Sequence, residues 1–170
     1  MGAEHELVDV LVETPQGSRK KYEYDKERKG MRLDRRLFSA TVYPADYGLI
    51  PDTVGEDGEA LDALVLTQEP TFPGCWVTAR PIGVFWIAYD GAREAKILAV
   101  PDGDPTWDDV HDIDDVPDHL RDEISQFFDV YKVLEPGRTP TPDGYEGRTA
   151  ALEVIAEAAG RKSGAPSAST

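Results

Sequence analysis

The chain alternates short apolar segments with breaks that contain Gly or Pro, a pattern typical of β-strands joined by tight turns. Six segments are predicted as strands, at residues 6–13, 20–25, 32–37, 63–67, 76–88 and 95–100. Residues 20–25 alternate two tyrosines with charged side chains, whereas 63–67 is a continuous apolar run that indicates a fully buried strand. Pro81 and Gly83 interrupt the longest segment and predict a bend or bulge there. Many short strands of this kind favour a barrel or a sandwich.

Two helices are predicted near the end of the chain. Residues 117–132 carry apolar side chains at the spacing of one helical face, and Pro117 suits the first turn. An Ala-rich helix is predicted at 148–159, and the small, polar residues 160–170 predict a disordered tail. We therefore expect one domain over residues 1–159, mainly β with flanking helices.

Composition narrows the classes of partner. The chain has 170 residues, 40% of them hydrophobic, and a formal net charge of −15. This acidity argues against nucleic acid as a partner, because phosphate neutralisation needs a basic face. We expect no membrane span or signal peptide, since no long apolar run is present. The single Cys75 excludes a disulfide framework and a thiolate zinc site. A cytoplasmic protein that binds an anion through divalent cations fits this composition.

The acidic segment 56–62 offers the densest candidate chemistry. It places four carboxylates, from Glu56, Asp57, Glu59 and Asp62, directly before the buried strand at 63–67. Hard oxygen donors at this spacing suit Mg²⁺, Mn²⁺ or Ca²⁺, although the ligand spacing of an EF-hand is missing. An acidic surface turn is the alternative interpretation.

Phenols and cations supply a second set of candidates. Tyr43 and Tyr47 flank a shaped segment, YPADYG, where they can donate hydrogen bonds or simply pack. Four cations lie within or beside apolar segments, namely Lys21, Arg35, Lys96 and Lys132. Such cations can hold phosphate oxygens, or else extend to solvent and pair with neighbouring acids. The eight aspartates between 102 and 118 are predicted to form a solvated loop without a catalytic role.

Together these segments resemble family I soluble inorganic pyrophosphatases over roughly residues 7–159. Their order and spacing match those of the family. The matching segments are VETP with Glu13, KYE with Lys21 and Glu23, LDR with Arg35, YPADYG with Tyr43 and Tyr47, DGEALD with Asp57 and Asp62, EAK with Lys96, and FFDVYK with Tyr131 and Lys132.

The resemblance implies an OB-like five-stranded β-barrel, usually assembled as a hexamer in bacteria, that hydrolyses pyrophosphate with Mg²⁺ and possibly Mn²⁺. It implies these metal ligands: Asp57, Asp62 and Glu94 for the activating ions, with Glu13 and Glu23 for an ion bound with the substrate. It implies these phosphate-binding residues: Lys21, Arg35, Tyr47, Lys96, Tyr131 and Lys132. Glu59 takes the position that orients the attacking water and is therefore a candidate catalytic residue with Tyr47 and Arg35. The metals would lower the pKa of that water.

The chain departs from the family pattern around these metals. Glu59, Ala60 and Glu94 stand where Asp, Pro and Asp are usual, and Tyr89 takes the position of a metal-binding Asp. A one-residue shift of the loop would let Asp90 supply that ligand. Three interpretations stay open. They are a slow or metal-shifted inorganic pyrophosphatase, a paralogue that hydrolyses another phosphoanhydride or organic diphosphate, and a non-catalytic diphosphate-binding or assembly protein.

Overall fold

The computed structural model describes residues 6–164. Within them it contains eight strands, two α-helices and two short 3₁₀ turns. The strands are β1 (Val8–Thr14), β2 (Lys20–Asp25), β3 (Gly30–Arg36), β4 (Asp46–Ile50), β5 (Leu61–Val65), β6 (Trp76–Tyr89), β7 (Ala92–Pro101) and β8 (Thr141–Gly147). The helices are α1 (Asp118–Val130) and α2 (Arg148–Gly164), and the 3₁₀ turns are Pro105–Trp107 and Ile113–Asp115.

Five strands close into a ring in the order β1-β4-β5-β7-β6, because β1 pairs with both β4 and β6. This closure confirms the predicted OB-like five-stranded barrel. β8 adds to the outer edge of β6, while β2 and β3 form a separate antiparallel hairpin. Only β5 and β7 in the ring pair in parallel, and their register places Asp62 opposite Lys96.

The continuous apolar runs of the sequence become strands that are buried on both faces. In β5, Leu64 packs into a cluster that includes Phe127 and Phe128 of α1. Its neighbours Ala63 and Val65 pack into a second cluster that includes alanines of α2. The two helices therefore cover opposite faces of the same strands. None of the helices within residues 6–164 has the length and apolar composition needed to cross a membrane.

Close approach of β1 and β4 depends on one glycine. A Cβ atom placed on Gly48 would lie 2.1 Å from the carbonyl oxygen of Leu11, so only glycine fits. Further along the pair, the register shifts between Val12 and Thr14, which leaves Glu13 as the extra residue of a bulge. Bulges redirect side chains, and this one delivers Glu13 to the cleft described below.

All six predicted strands and both predicted helices are present, with boundaries that shift by a few residues. Two strands were not predicted. β4 was assigned to a loop because of its Tyr-Pro and Tyr-Gly steps, and β8 contains Pro142 and Gly144 within a polar segment. α2 continues to Gly164, so the first residues of the predicted tail are helical. Residues 165–170 of that tail lie outside the described residues, as do residues 1–5.

Candidate active site

A cleft of about 1160 Å³ opens at one side of the barrel, between the β2–β3 hairpin, the 51–62 loop and the end of α1. It collects most of the site residues that the sequence predicts. Those in its lining are Glu13, Lys21, Glu23, Tyr47, Asp57, Glu59, Asp62, Glu94, Lys96, Tyr131 and Lys132. Strands β1, β2, β4, β5 and β7 contribute to this set together with the end of α1, so residues distant in sequence meet at one place.

Carboxylates form one wall of the cleft. Burial raises the pKa of Glu13 to about 7, and the nearby charge of Asp62 adds to the effect, although the Tyr24 N–H donates to Glu13 Oε2 at 2.8 Å. Burial also raises the pKa of Glu94, and the charges of Asp57 and Asp62 reinforce it. Carboxylates that are partly desolvated and mutually repelling are stabilised by a cation between them.

The loop that carries Asp57 and Glu59 is tightly folded. The Glu59 N–H donates to Asp57 Oδ1 at 3.0 Å, and the Gly55 N–H donates to the Glu59 carbonyl at 2.6 Å. Gly58, with a φ of +85°, supplies the left-handed conformation that this turn needs. The turn exposes both side chains at the mouth of the cleft, where solvent and ligands reach them.

Lys96 joins the acidic wall to the phenols. Its side chain is buried, and its Nζ lies 2.5 Å from Asp62 Oδ2, 2.8 Å from the Tyr47 hydroxyl and 3.9 Å from Glu94 Oε2. Burial opposes the charged amine most strongly, but Asp62, Glu94 and Tyr89 together outweigh that effect, so the pKa of Lys96 is raised. Lys96 therefore stays protonated inside the cleft. Lys96 therefore forms a salt bridge, which was the alternative interpretation of these cations. Its side chain also lines the cleft in which a ligand would lie.

A cluster of positive charges lies on the other side of the cleft. Burial lowers the pKa of Lys132, and the neighbouring charges of Lys21, Arg35 and Lys96 lower it further. Lys132 Nζ also lies 5.4 Å from the ring centre of Tyr131 and 5.8 Å from that of Tyr89. Like charges gathered in this way are stabilised by an anion.

Arg35 approaches this cluster without entering the cleft wall. It pairs with Lys21 across the hairpin register, and its Nε lies 2.8 Å from Glu135 Oε1. Its guanidinium also bonds to Asp34. In this geometry two carboxylates engage Arg35, so its predicted contact with phosphate stays a prediction.

Asp90 is not among the residues that line the cleft, so its role as a metal ligand after a loop shift stays a prediction that this geometry does not support. It lies with Gly91 in the tight β6–β7 turn, with φ values of +44° and +87°. Its carboxylate is 3.0 Å from Arg138 Nε, in solvent. The Asp-Gly pair fixes the hairpin turn, and this register turns Tyr89 instead of Asp90 toward the ligand space.

Three further tyrosines line the cleft, namely Tyr24, Tyr43 and Tyr89. Tyr43 is buried, with its ring centre 5.5 Å from that of Tyr47, which agrees with the packing interpretation of the YPADYG segment. Tyr89 lines the cleft together with Tyr131, and its ring centre lies 5.8 Å from Lys132 Nζ. The sequence did contain a signal for Tyr89, because this residue stands at a position where the family has a metal-binding Asp.

The acidic wall fits a hard divalent cation by donor type, since all its donors are carboxylate oxygens. Within residues 6–164, no three Asp, Glu, His or Cys side chains converge closely enough to enclose an ion. Binding would therefore draw these carboxylates together, and it would compete with Lys96 for Asp62.

Comparison with known proteins then decides the family. The family model described as inorganic pyrophosphatase matches residues 10–163. The inorganic pyrophosphatase of Methanosarcina acetivorans is 49% identical over 158 residues, which are 93% of this chain and 94% of that protein. The chain belongs to the inorganic pyrophosphatase family. Its Streptomyces coelicolor relative of the same name is 50% identical over 147 residues, covering 86% of this chain and 90% of that one.

The fold of this family I inorganic pyrophosphatase agrees with solved relatives. The crystal structure of inorganic pyrophosphatase from Thermus thermophilus superimposes with a TM-score of 0.91 at 39% identity, covering 96% of this chain and 95% of that one. The predicted resemblance is thereby confirmed. Family I inorganic pyrophosphatases are metal-dependent enzymes.

Proposed function

We propose that the cleft is the catalytic centre of this inorganic pyrophosphatase and that Mg²⁺ is its metal, with Mn²⁺ able to replace it. The reaction, hydrolysis of pyrophosphate to two phosphates, follows from membership of the family. One observation supports this use of the cleft above the others. Three lysines, Lys21, Lys96 and Lys132, converge in the same cleft as a wall of carboxylates. Anion and cation sites placed side by side suit a metal–pyrophosphate substrate.

The carboxylates have two proposed roles. Asp57, Asp62 and Glu94 would hold the activating ions, and Glu13 and Glu23 would hold an ion that arrives with the substrate. When bound, such ions supply a water of lowered pKa and neutralise phosphate charge. Glu59 is the proposed group that orients this water, since its flexible carboxylate stands at the mouth of the same loop.

The cations and phenols would orient the substrate. The Tyr47 hydroxyl accepts a hydrogen bond from Lys96, so its own proton is free to donate to a phosphate oxygen. Burial keeps that proton in place, because it raises the pKa of Tyr47. Lys132 and Tyr131 approach from α1 and would offset the charge that develops on the leaving phosphate. Arg35 would join them only if the substrate draws it away from Glu135.

Phosphate release from pyrophosphate tests this proposal directly. We expect turnover with Mg²⁺, measurable turnover with Mn²⁺ and none in excess EDTA. Thiamine diphosphate and ADP serve as organic diphosphate controls, which should be hydrolysed far more slowly. Full turnover in EDTA would contradict a metal-dependent centre, and preferential hydrolysis of an organic diphosphate would contradict the proposed substrate.

We also propose that copies of the chain associate, as a hexamer by resemblance to bacterial members of the family. Large apolar side chains exposed on the single chain support association, for example Phe72 at 63% and Leu134 at 67%. Light scattering coupled to size-exclusion chromatography would measure the mass, and a monomer at micromolar concentration would contradict the proposal. A cytoplasmic location stays a prediction from the sequence.

A further inference from the structure

The lysines of this chain are distributed unevenly. The sequence contains seven lysines and eleven arginines. Six of the seven lysines line the cleft, and Lys20 is the exception, whereas none of the arginines lines it. In a chain with a formal net charge of −15, this places nearly every primary amine at one opening. Only three of the six, Lys21, Lys96 and Lys132, belong to the pyrophosphate site proposed above.

The other three lysines lie toward the outside of the same cleft. Lys26 and Lys29 are at the tip of the β2–β3 hairpin, and Lys162 is in the last turn of α2. All three side chains are exposed, and none forms an ion pair with another residue in the described range 6–164. None of the carboxylates in the cleft lining forms an ion pair with these three lysines. The outer amines therefore remain available to a ligand.

The hairpin tip is held in a fixed shape. Asp25 accepts hydrogen bonds from the Glu27 and Arg28 N–H groups at 3.0 and 2.9 Å, and its carboxylate also pairs with Arg28 at 2.8 Å. Lys29 has a φ of +54°, a left-handed conformation that is uncommon for a side-chain-bearing residue. Arg28 therefore stabilises the turn, whereas Lys26 and Lys29 line the cleft.

The volume of the cleft exceeds what pyrophosphate needs. A space of about 1160 Å³ is slightly larger than the range typical of sites for drug-sized ligands. Pyrophosphate, with two phosphates, is far smaller than that, and in the proposed function it would be held by the inner lysines and by metals on the carboxylates. We propose that the outer part of the cleft is a subsite, formed by Lys26, Lys29 and Lys162, for an oligophosphate chain of three or more phosphates. This inference rests on the proposed function, which places the first two phosphates inside.

Phosphate chains fit this subsite better than other anions do. Arginine provides the planar fork that recognises a single carboxylate or phosphate group in two places, and no arginine lines the cleft. Amines on flexible stems act as point charges and adapt to a chain with several equivalent oxygens. Inorganic tripolyphosphate and the triphosphate of ATP share this chemistry, and they differ only in the nucleoside.

The experiment compares two triple variants of the full chain. The first is Lys26→Gln/Lys29→Gln/Lys162→Gln. The control, Arg19→Gln/Lys20→Gln/Arg32→Gln, removes three positive charges from the same hairpin region outside the cleft. Pyrophosphate hydrolysis with Mg²⁺ gives KM, and tripolyphosphate or ATP added as inhibitor gives Ki. Calorimetric titration of tripolyphosphate in EDTA measures binding without turnover.

We expect the cleft variant to raise Ki for tripolyphosphate about tenfold, as for the loss of three exposed charge contacts. Ki for ATP should rise by a similar factor, whereas KM for pyrophosphate should stay unchanged. In the control variant, neither Ki nor KM should change. Equal increases in KM and Ki would show a general attraction of anions and overturn the subsite. A change with ATP alone would show recognition of the nucleoside and also overturn it. Failure of wild-type turnover would count against the proposed function only, because the titration in EDTA still tests the subsite.

Discussion

The chain has two acidic regions, the 56–62 loop and the 102–118 segment, and they use their carboxylates differently. In the first region, Asp62 faces the buried amine of Lys96 at 2.5 Å, inside a cleft. In the second, the carboxylates serve the backbone or face solvent. Asp112 and Asp115 close a capping box around the 3₁₀ turn at Ile113–Asp115, and the Asp114 side chain is 92% exposed.

The difference teaches that the partners of a carboxylate decide its role, whereas the density of acidic residues does not. Backbone N–H groups satisfy Asp115, and these hydrogen bonds hold the pKa of Asp115 below its usual value. Burial and neighbouring carboxylates raise the pKa of Glu94 in the cleft. The first arrangement is satisfied within the chain, and the second is stabilised by an added cation. Five variants test this contrast.

Asp62→Asn should have the largest effect. It removes one anionic oxygen from the proposed metal site and the counter-charge of Lys96, so we expect kcat to fall at least about a hundredfold. Steady-state phosphate release with Mg²⁺ measures kcat, and circular dichroism checks the fold. Asp114→Asn is the matched control from the other acidic region. Turnover close to that of the wild type would show that the metal site lies elsewhere.

Lys132→Ala should weaken the binding of the substrate more than the binding of the metal. The loss of one partly buried cation at the phosphate site should raise KM for pyrophosphate about tenfold. Mn²⁺ binding, followed by electron paramagnetic resonance, should stay nearly unchanged. Lys20→Ala, the lysine outside the cleft, is the control. If KM and kcat are both unaffected, Lys132 has only a structural role.

Tyr89→Phe should have a moderate effect. It keeps the ring near Lys132 and removes a hydroxyl from the lining of the cleft, so we expect kcat/KM to fall about fivefold, as for the loss of one hydrogen bond to the substrate. Phosphate-release kinetics separate the change in KM from that in kcat. Unchanged kinetics would mean that the hydroxyl is free of the substrate and of the groups that position it.

Asp112→Ala tests the structural side of the comparison. Asp112 Oδ1 accepts from the Ile113 N–H at 2.7 Å and from the Arg148 N–H at 3.0 Å, which satisfies the first turn of α2. We expect a loss of about 1 kcal/mol in the free energy of unfolding, as for other capping residues. Urea denaturation measures the loss, and kcat of the folded protein should be unchanged. If the variant is as stable as the wild type, the proposed capping role of Asp112 is contradicted.

The smallest effect is expected from Asp108→Asn, Asp109→Asn and Asp114→Asn together. These side chains lie at the surface outside the cleft, so kcat should stay within about twofold of the wild type, as is usual for surface substitutions. Solubility at low salt should decrease, because the net negative charge falls. A hundredfold loss of kcat would give this region a catalytic role that the structure does not indicate.

Local pattern was sufficient for much of the fold, whereas the resemblance to the family supplied most of the residues that line the cleft. The apolar run at 63–67 and the helical face of 117–132 were predicted because burial imposes their periodicity. β4 was missed because its conformation depends on the long-range contacts of Gly48 with β1, which no local window contains. The position of Asp90 could not be predicted from its charge, because the conformation of the Asp-Gly turn fixes which residue faces the cleft.

The parallel pairing of β5 and β7 also determines when the enzyme can first act during synthesis. Asp62 and Lys96 are separated by 34 positions in sequence and meet only through that pairing. Closure of the ring further requires residues 8–11 to find residues 76–79, and Lys132 comes later still. Contacts of such long range form slowly and late in folding. We therefore expect that a chain growing on the ribosome cannot assemble the proposed centre until Lys132 has been added and has emerged.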